Sequence, residues 1–343
     1  MARKAIVLFN LGGPNSLEAV QPFLYNLFMD PAIIRLPTPL RFLVAKLIST
    51  RRAPVAQEIY GHLGGSSPLL PQTQDQAAAL KSTLSAANPA DDYETFICMR
   101  YWHPMSGETV KSVQSYDPDE IILVPLYPQY SSTTSASSIA DWHQAAKSAK
   151  LDVPTATLCC YPMEKGLISA YASLIMEKIQ GLDLSTTRVL FSAHGLPQKI
   201  VDAGDPYQWQ IEQTSQRIVE KMALEGLDWK VCYQSRVGPM KWLQPSTEDE
   251  ITAAGSEGTS LVVIPIAFVS EHSETLVELD IEYAELAKKS GVPNYKRVDT
   301  VGVSDDFIAG LASLVLRLKV GEVTSEQGGR ICPSGFSDCA LAS

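Results

Sequence analysis

An α/β protein of two similar units, each a four-stranded parallel sheet flanked by helices, is predicted by three observations. Short β-rich runs alternate with helical-looking segments along the whole chain, most of these runs are apolar on both faces, and they divide evenly between its two halves. Runs apolar on both faces mark parallel strands covered by helices on each side, with the segments between them as crossovers. A length of 343 residues also exceeds what one hydrophobic core usually organises.

The predicted strands are 4–10, 93–98, 120–126 and 155–160 in the first half, and 188–193, 229–234, 260–266 and 296–301 in the second. Run 155–160 is the weakest and fits either sheet. A helix over 304–319, SDDFIAGLASLVLRLK, opens on a Ser–Asp cap, carries an apolar stripe and is expected to pack on the first domain. Residues 321–343 are rich in Gly and Ser without periodicity and predict an irregular, Cys-containing tail. The expected domains are therefore 1–150 plus 304–320, then 151–303, then the tail. No residue-level internal repeat accompanies this duplication.

Composition narrows the function. A net charge of −10 without a long Lys/Arg block argues against nucleic acid as a partner. The opening ARKAIVLFNL has too short an apolar run and no cleavage signal for a leader, so a cytoplasmic protein is expected. No window approaches the roughly 18 apolar residues of a membrane span. Segment 39–52, PLRFLVAKLISTRR, instead sets Phe42, Leu43, Leu47 and Ile48 on one helical face beside Arg41, Lys46, Arg51 and Arg52. That face suits either a core-facing helix or peripheral contact with a membrane surface.

In open α/β sheets ligands bind beyond the carboxyl ends of strands. RVLFSAHGLP ends a strand at His194, where the following Gly and Pro turn the chain. SLVVIPIAFVSEHSETLVELDIEY empties another strand into a loop bearing Glu271, His272 and Glu274 ahead of a helix that Ser273 can cap. Leu276, Leu279, Tyr283 and Leu286 form that helix's apolar face, and Glu274, Glu278 and Glu282 fall opposite. Like charges at such spacing repel by a few tenths of a kcal/mol per pair. The row reads either as a solvated face or as an acidic lining that relays protons or guides a divalent cation. LFNLGGP lacks the dinucleotide fingerprint, and LYPQYSSTTSASS offers rings and hydroxyls after the third strand.

Three segments carry a resemblance: LFSAHGLPQKIVDAGDPY at 190–207, YQSRVGPMKWLQPSTEDEI at 233–251 and IAFVSEHSETLVELDIEY at 266–283, supported by STRRAP, GGSSPL, RYWHP and YPQYSS. Together they resemble the ferrochelatase family from LFNLGGP to residue 319. The resemblance implies two Rossmann-like domains with a porphyrin cleft between them, and insertion of Fe(II) into protoporphyrin IX. It implies His194 and Glu274 as the catalytic and metal-contacting pair, with Glu278, Glu282 and His272 on a proton or metal path. It further implies Leu11, Tyr127 and Trp242 against the ring, and Arg51, Arg52, Tyr60, Ser67, Arg100 and Tyr101 at its polar edge. Segment 39–50 matches the family's apolar lip, which implies contact with the inner membrane.

Some family members hold a 2Fe–2S cluster. Here Cys159, Cys160, Cys332 and Cys339 could contribute thiolates, while Ser132 stands where the animal-type pattern has a cysteine. The cluster stays open at this level. So do two rivals: a chelatase for another tetrapyrrole, such as coproporphyrin or a cobalt-accepting sirohydrochlorin, and a non-catalytic haem carrier on the same fold.

Overall fold

The computed structural model describes residues 1–342 except Val237 and Pro239, two positions inside the 233–251 motif that therefore lie outside the described residues. The chain forms two compact units, Met1–Cys160 with Leu311–Arg330, and Tyr161–Gly310 with the described residues from Ile331 onward.

The first unit contains β1 (Arg3–Asn10), α1 (Val20–Met29), α2 (Thr38–His62), α3 (Leu69–Ala87), β2 (Asp92–Met99), α4 (Ser106–Tyr116), β3 (Glu120–Pro125), α5 (Ser135–Ala149) and β4 (Thr155–Cys160). Its sheet is parallel in the order β2-β1-β3-β4-β9, where β9 (Val323–Ser325) comes from the segment expected to be irregular. Five strands thus replace the expected four. A three-residue strand is too short for a sequence signature; it pairs with the edge that β4 would otherwise leave open. Central β1 buries Ala5, Val7 and Phe9 against Val110, Val113, Ile121, Leu123 and Trp142, with Phe9 and Trp142 meeting edge to face at 6.1 Å.

The second unit contains α6 (Lys165–Lys178), a 3₁₀ turn (Leu184–Thr186), β5 (Thr187–His194), α7 (Gln198–Asp202), α8 (Tyr207–Met222), β6 (Asp228–Gln234), α9 (Thr247–Glu257), β7 (Ser260–Pro265), a π-helix (Glu274–Tyr283), α10 (Ala284–Ser290) and β8 (Tyr295–Arg297). Its four parallel strands run in the order β6-β5-β7-β8. Leu190, Cys232, Ile251, Leu261, Val263, Leu279 and Tyr283 build one core face.

Two boundaries move. Strand β4 joins the first sheet, so the division falls after Cys160 rather than after residue 150. Helix α11 (Asp305–Arg317) straddles the division at Gly310 and Leu311 rather than belonging wholly to the first domain. Cys332 and Cys339 belong to the second unit.

Candidate active site

His194 is the last residue of β5, and the turn after it is set by backbone crowding. A Cβ on Gly195 would lie 2.9 Å from the Gln234 carbonyl, so only glycine passes there. The turn is zipped to residues 241–243 by Gln198 N donating to Lys241 O at 2.9 Å and Leu243 N donating to Leu196 O at 3.0 Å. Trp242 is held against it, 3.5 Å from the same Cβ position. The His194 carbonyl accepts from the Tyr207 hydroxyl at 3.0 Å. The imidazole, 39% exposed, points into the site.

Glu274 opens the π-helix, and its Oε2 lies 2.7 Å from His194 Nδ1. Ser235, just past β6, donates its hydroxyl to Glu274 Oε2 at 3.2 Å and also to Glu278 Oε2. Its backbone N–H donates to Glu278 Oε1 at 2.8 Å. Ser235 reaches both carboxylates from a left-handed backbone conformation with φ 61°, which an L residue adopts only at a cost. Gln234 Nε2 donates to Glu278 Oε2 at 3.1 Å and to the Glu274 carbonyl at 3.1 Å, and the Tyr283 hydroxyl donates to Glu278 Oε1 at 2.9 Å.

The electrostatics separate the two carboxyl groups. Burial raises the Glu274 pKa, but the charge and hydrogen bond of His194, with His272 and Ser235, reverse this and hold it well below the ordinary carboxylate range. Burial and the Glu274 charge push Glu278 upward, against the hydrogen bonds from Ser235, Tyr283 and Gln234. Burial depresses the His194 pKa, yet Glu274 and then Glu278 outweigh it, so the net shift is upward. Neighbouring titratable groups driven apart in this way suit opposite acid and base roles. An ionised Glu274 can only accept, so a neutral His194 carries its proton on Nδ1 and leaves Nε2 as the basic nitrogen.

The expected acidic row is only partly assembled. Glu274 and Glu278 share Ser235, whereas Glu282 is exposed and joins none of these bonds. Ser273 stands at the helix start without a side-chain cap; Thr275 bonds the His272 backbone there instead. His272 is buried, its ring 4.3 Å from that of Phe268, and burial lowers its pKa. No local signal in the sequence marks Ser235 or Gln234, and Tyr283 is marked only as part of the helix's apolar face. Ser235 and Gln234 both stand at the carboxyl end of β6, as His194 does at the end of β5.

In the first unit, Leu11, Tyr60 and Tyr101 share one apolar cluster with Val20, Phe23 and Leu24. Tyr127 follows β3 and packs beside the Phe9–Trp142 core. Ser67 is buried, approaching Gly13 so closely that a Cβ there would overlap its hydroxyl. Arg51 and Arg52 are exposed on α2. Tyr101 and Arg100 are already engaged: Asp30 Oδ2 accepts from the Tyr101 hydroxyl at 2.8 Å and pairs with the Arg100 guanidinium at 2.9 Å, with Ser137 donating to the same oxygen. Tyr101 is 1% exposed, and its hydroxyl is turned toward Asp30.

The four cysteines considered for a cluster are all buried. Cys159 and Cys160 are buried with Sγ atoms 3.3 Å apart, and Cys332 accepts from the Gln210 amide at 3.2 Å. Among the described residues no three His, Cys, Asp or Glu side chains are grouped to hold a metal ion. No helix among them is long and apolar enough to cross a membrane.

The family model described as Ferrochelatase matches residues 3–318 of the chain. A curated relative of that name from Pelagibacter ubique is 51% identical over 339 residues, covering 98% of each chain. Another, from Phenylobacterium zucineum, is 52% identical over 337 residues, covering 98% of this chain and 97% of the relative. The solved structure of SirB from Bacillus subtilis with Fe3+ is similar in fold, with a TM-score of 0.53 at 12% identity, covering 92% of this chain and 95% of that one.

Proposed function

The chain belongs to the ferrochelatase family, and from that membership we propose that it inserts ferrous iron into protoporphyrin IX to form protohaem. The observation that carries this reading is the His194–Glu274 pair at the mouth of the second sheet. Insertion exchanges two pyrrole protons for one Fe(II), so charge balances only if a base takes the protons away. Neutral His194 offers Nε2 for that purpose, and ionised Glu274 stabilises the imidazolium that results. Glu278, shifted toward its protonated form, is joined to Glu274 through the Ser235 hydroxyl and provides the next station for a proton. His272 flanks this route and Glu282 stands at its exposed end.

Fe(II) is the substrate metal, and imidazole with carboxylate gives it donors it accepts without holding it permanently. In class terms the reaction is that of a lyase acting on a tetrapyrrole. Leu11, Tyr127 and Trp242 offer apolar and aromatic faces to the macrocycle, while Arg51, Arg52, Tyr60 and Ser67 suit its propionates. Arg100 and Tyr101 support that edge through Asp30. Phe42, Leu43 and Leu47 on α2 are 47%, 63% and 51% exposed, beside Lys46, Arg51 and Arg52, which favours peripheral contact with an anionic inner membrane.

The test is anaerobic mixing of the purified protein with protoporphyrin IX and Fe(II) or Zn(II), followed by porphyrin absorbance. Catalytic insertion is the expected result. Porphyrin binding without turnover would assign a carrier instead, and faster turnover of coproporphyrin or sirohydrochlorin would reassign the substrate.

A further inference from the structure

The π-helix that carries Glu274 and Glu278 is held by two residues of the edge strand β8. Helices of this kind occur mostly as single-turn bulges within α-helices. A run from Glu274 to Tyr283 therefore calls for restraint from outside the helix. Arg297 supplies it. Its side chain, 8% exposed, forks onto Asp280, Nε to Oδ1 at 2.8 Å and the second nitrogen to Oδ2 at 2.6 Å. The remaining guanidinium nitrogen donates to Glu271 Oε1 at 2.6 Å and lies 3.4 Å from Asp299.

Tyr295, two residues earlier and so on the same face of the strand, donates its hydroxyl to the Leu279 carbonyl at 2.8 Å. Glu271 is further fixed by the Thr300 N–H at 2.8 Å. Strand β8 thus grips the helix at Leu279 and Asp280, and grips the loop just before Glu274. A planar fork is what lets one cation hold both places, because an ammonium cannot match two carboxylate oxygens in fixed directions.

We propose that Arg297 and Tyr295 are positioning residues, which hold the π-helix so that Glu274 meets His194 and Glu278 meets Ser235. Neither touches the reacting atoms. The activity readout rests on the metal-insertion reading above, while the geometric readout does not.

The experiment compares full-length Arg297→Lys, Asp280→Asn and Tyr295→Phe with the unaltered protein by insertion kinetics with Zn(II) and protoporphyrin IX, and by amide hydrogen exchange. Displaced catalytic groups should lower kcat on the order of tenfold or more, with KM for porphyrin held within about twofold. Exchange should accelerate across 274–283 while β7 and α9 keep their protection. Arg297→Lys combined with Asp280→Asn should cost little more than either alone, since both break one clamp. Unchanged kcat in Arg297→Lys and Asp280→Asn, or lowered kcat with unchanged exchange over 274–283, overturns the proposal. If the unaltered protein lacks turnover, the insertion reading fails by itself; accelerated exchange over 274–283 then upholds the clamp, and unchanged exchange removes it.

Discussion

His194 Nδ1 and Glu274 Oε2 lie 2.7 Å apart across 80 residues of sequence, one at the end of β5 and the other at the start of the π-helix. Each shifts the other's titration: the carboxylate raises the imidazole pKa against burial, and the imidazole lowers the carboxyl pKa against burial. Glu274 thus stays ionised while a porphyrin is deprotonated, and the imidazolium formed when neutral His194 takes a proton is stabilised beside it. The pair's members accordingly answer differently to substitution.

His194→Ala should lower metal insertion by at least about a hundredfold, the scale of a lost general base, with porphyrin binding retained. Absorbance-monitored turnover beside a porphyrin-binding titration measures both, and turnover like that of the unaltered protein would remove the base assignment.

Glu274→Gln should move the acidic limb of the pH–rate profile toward lower pH, because it removes the group that raises His194 above its ordinary 6.5. Stability carries a matching signature. Raised His194 contributes stability that is full below 6.5 and lost as pH rises through its folded value. Depressed Glu274 contributes stability that is full above 4.5 and lost as pH falls through its folded value. The stability difference between the unaltered protein and Glu274→Gln should therefore be largest between 4.5 and 6.5. Denaturant titrations across pH give the curve; a difference that grows above neutrality would contradict the pairing.

Ser235→Gly tests whether the left-handed φ of 61° is retained for the sake of the hydroxyl. Glycine adopts this conformation freely, relieving about 1 kcal/mol, so the melting temperature should hold or rise. The bridge between Glu274 and Glu278 disappears, and insertion should fall about tenfold, the scale of one hydrogen bond to a charged group. Loss of stability with intact turnover would reverse the assignment.

Asp30→Ala leaves the Arg100 guanidinium, 16% exposed, without its closest anion. Only Asp141, 3.6 Å from the guanidinium, then remains as an anion, so the loss should approach about 3–5 kcal/mol, the cost of a broken buried pair. Replacing both residues by apolar ones of similar size, Asp30→Leu with Arg100→Met, should recover much of that loss in chemical denaturation; no recovery would mean that the cost arises from packing instead.

Replacing Phe42, Leu43 and Leu47 with Ser should reduce co-sedimentation with anionic vesicles, since each loses exposed apolar surface of α2. Circular dichroism controls for folding, and undiminished vesicle binding would place any membrane contact elsewhere.

The α/β class, every major strand and His194 at a strand mouth were readable from the sequence, because buried parallel strands require local runs that are apolar on both faces. Glu274 and Glu278 were readable as part of a row, and the resemblance to one family supplied their roles. What only the tertiary structure decided depends on partners distant in the chain. β9 exists because the edge of β4 is there to pair with. Ser235 and Gln234 matter because β6 ends beside the π-helix, and Tyr101 turns inward because Asp30 already gathers Arg100 and Ser137. Glu282 joins none of the Ser235 bonds for the same reason, since sequence spacing sets which residues share a helical face, whereas the hydrogen-bond donors that neighbouring elements present decide which of those residues meet.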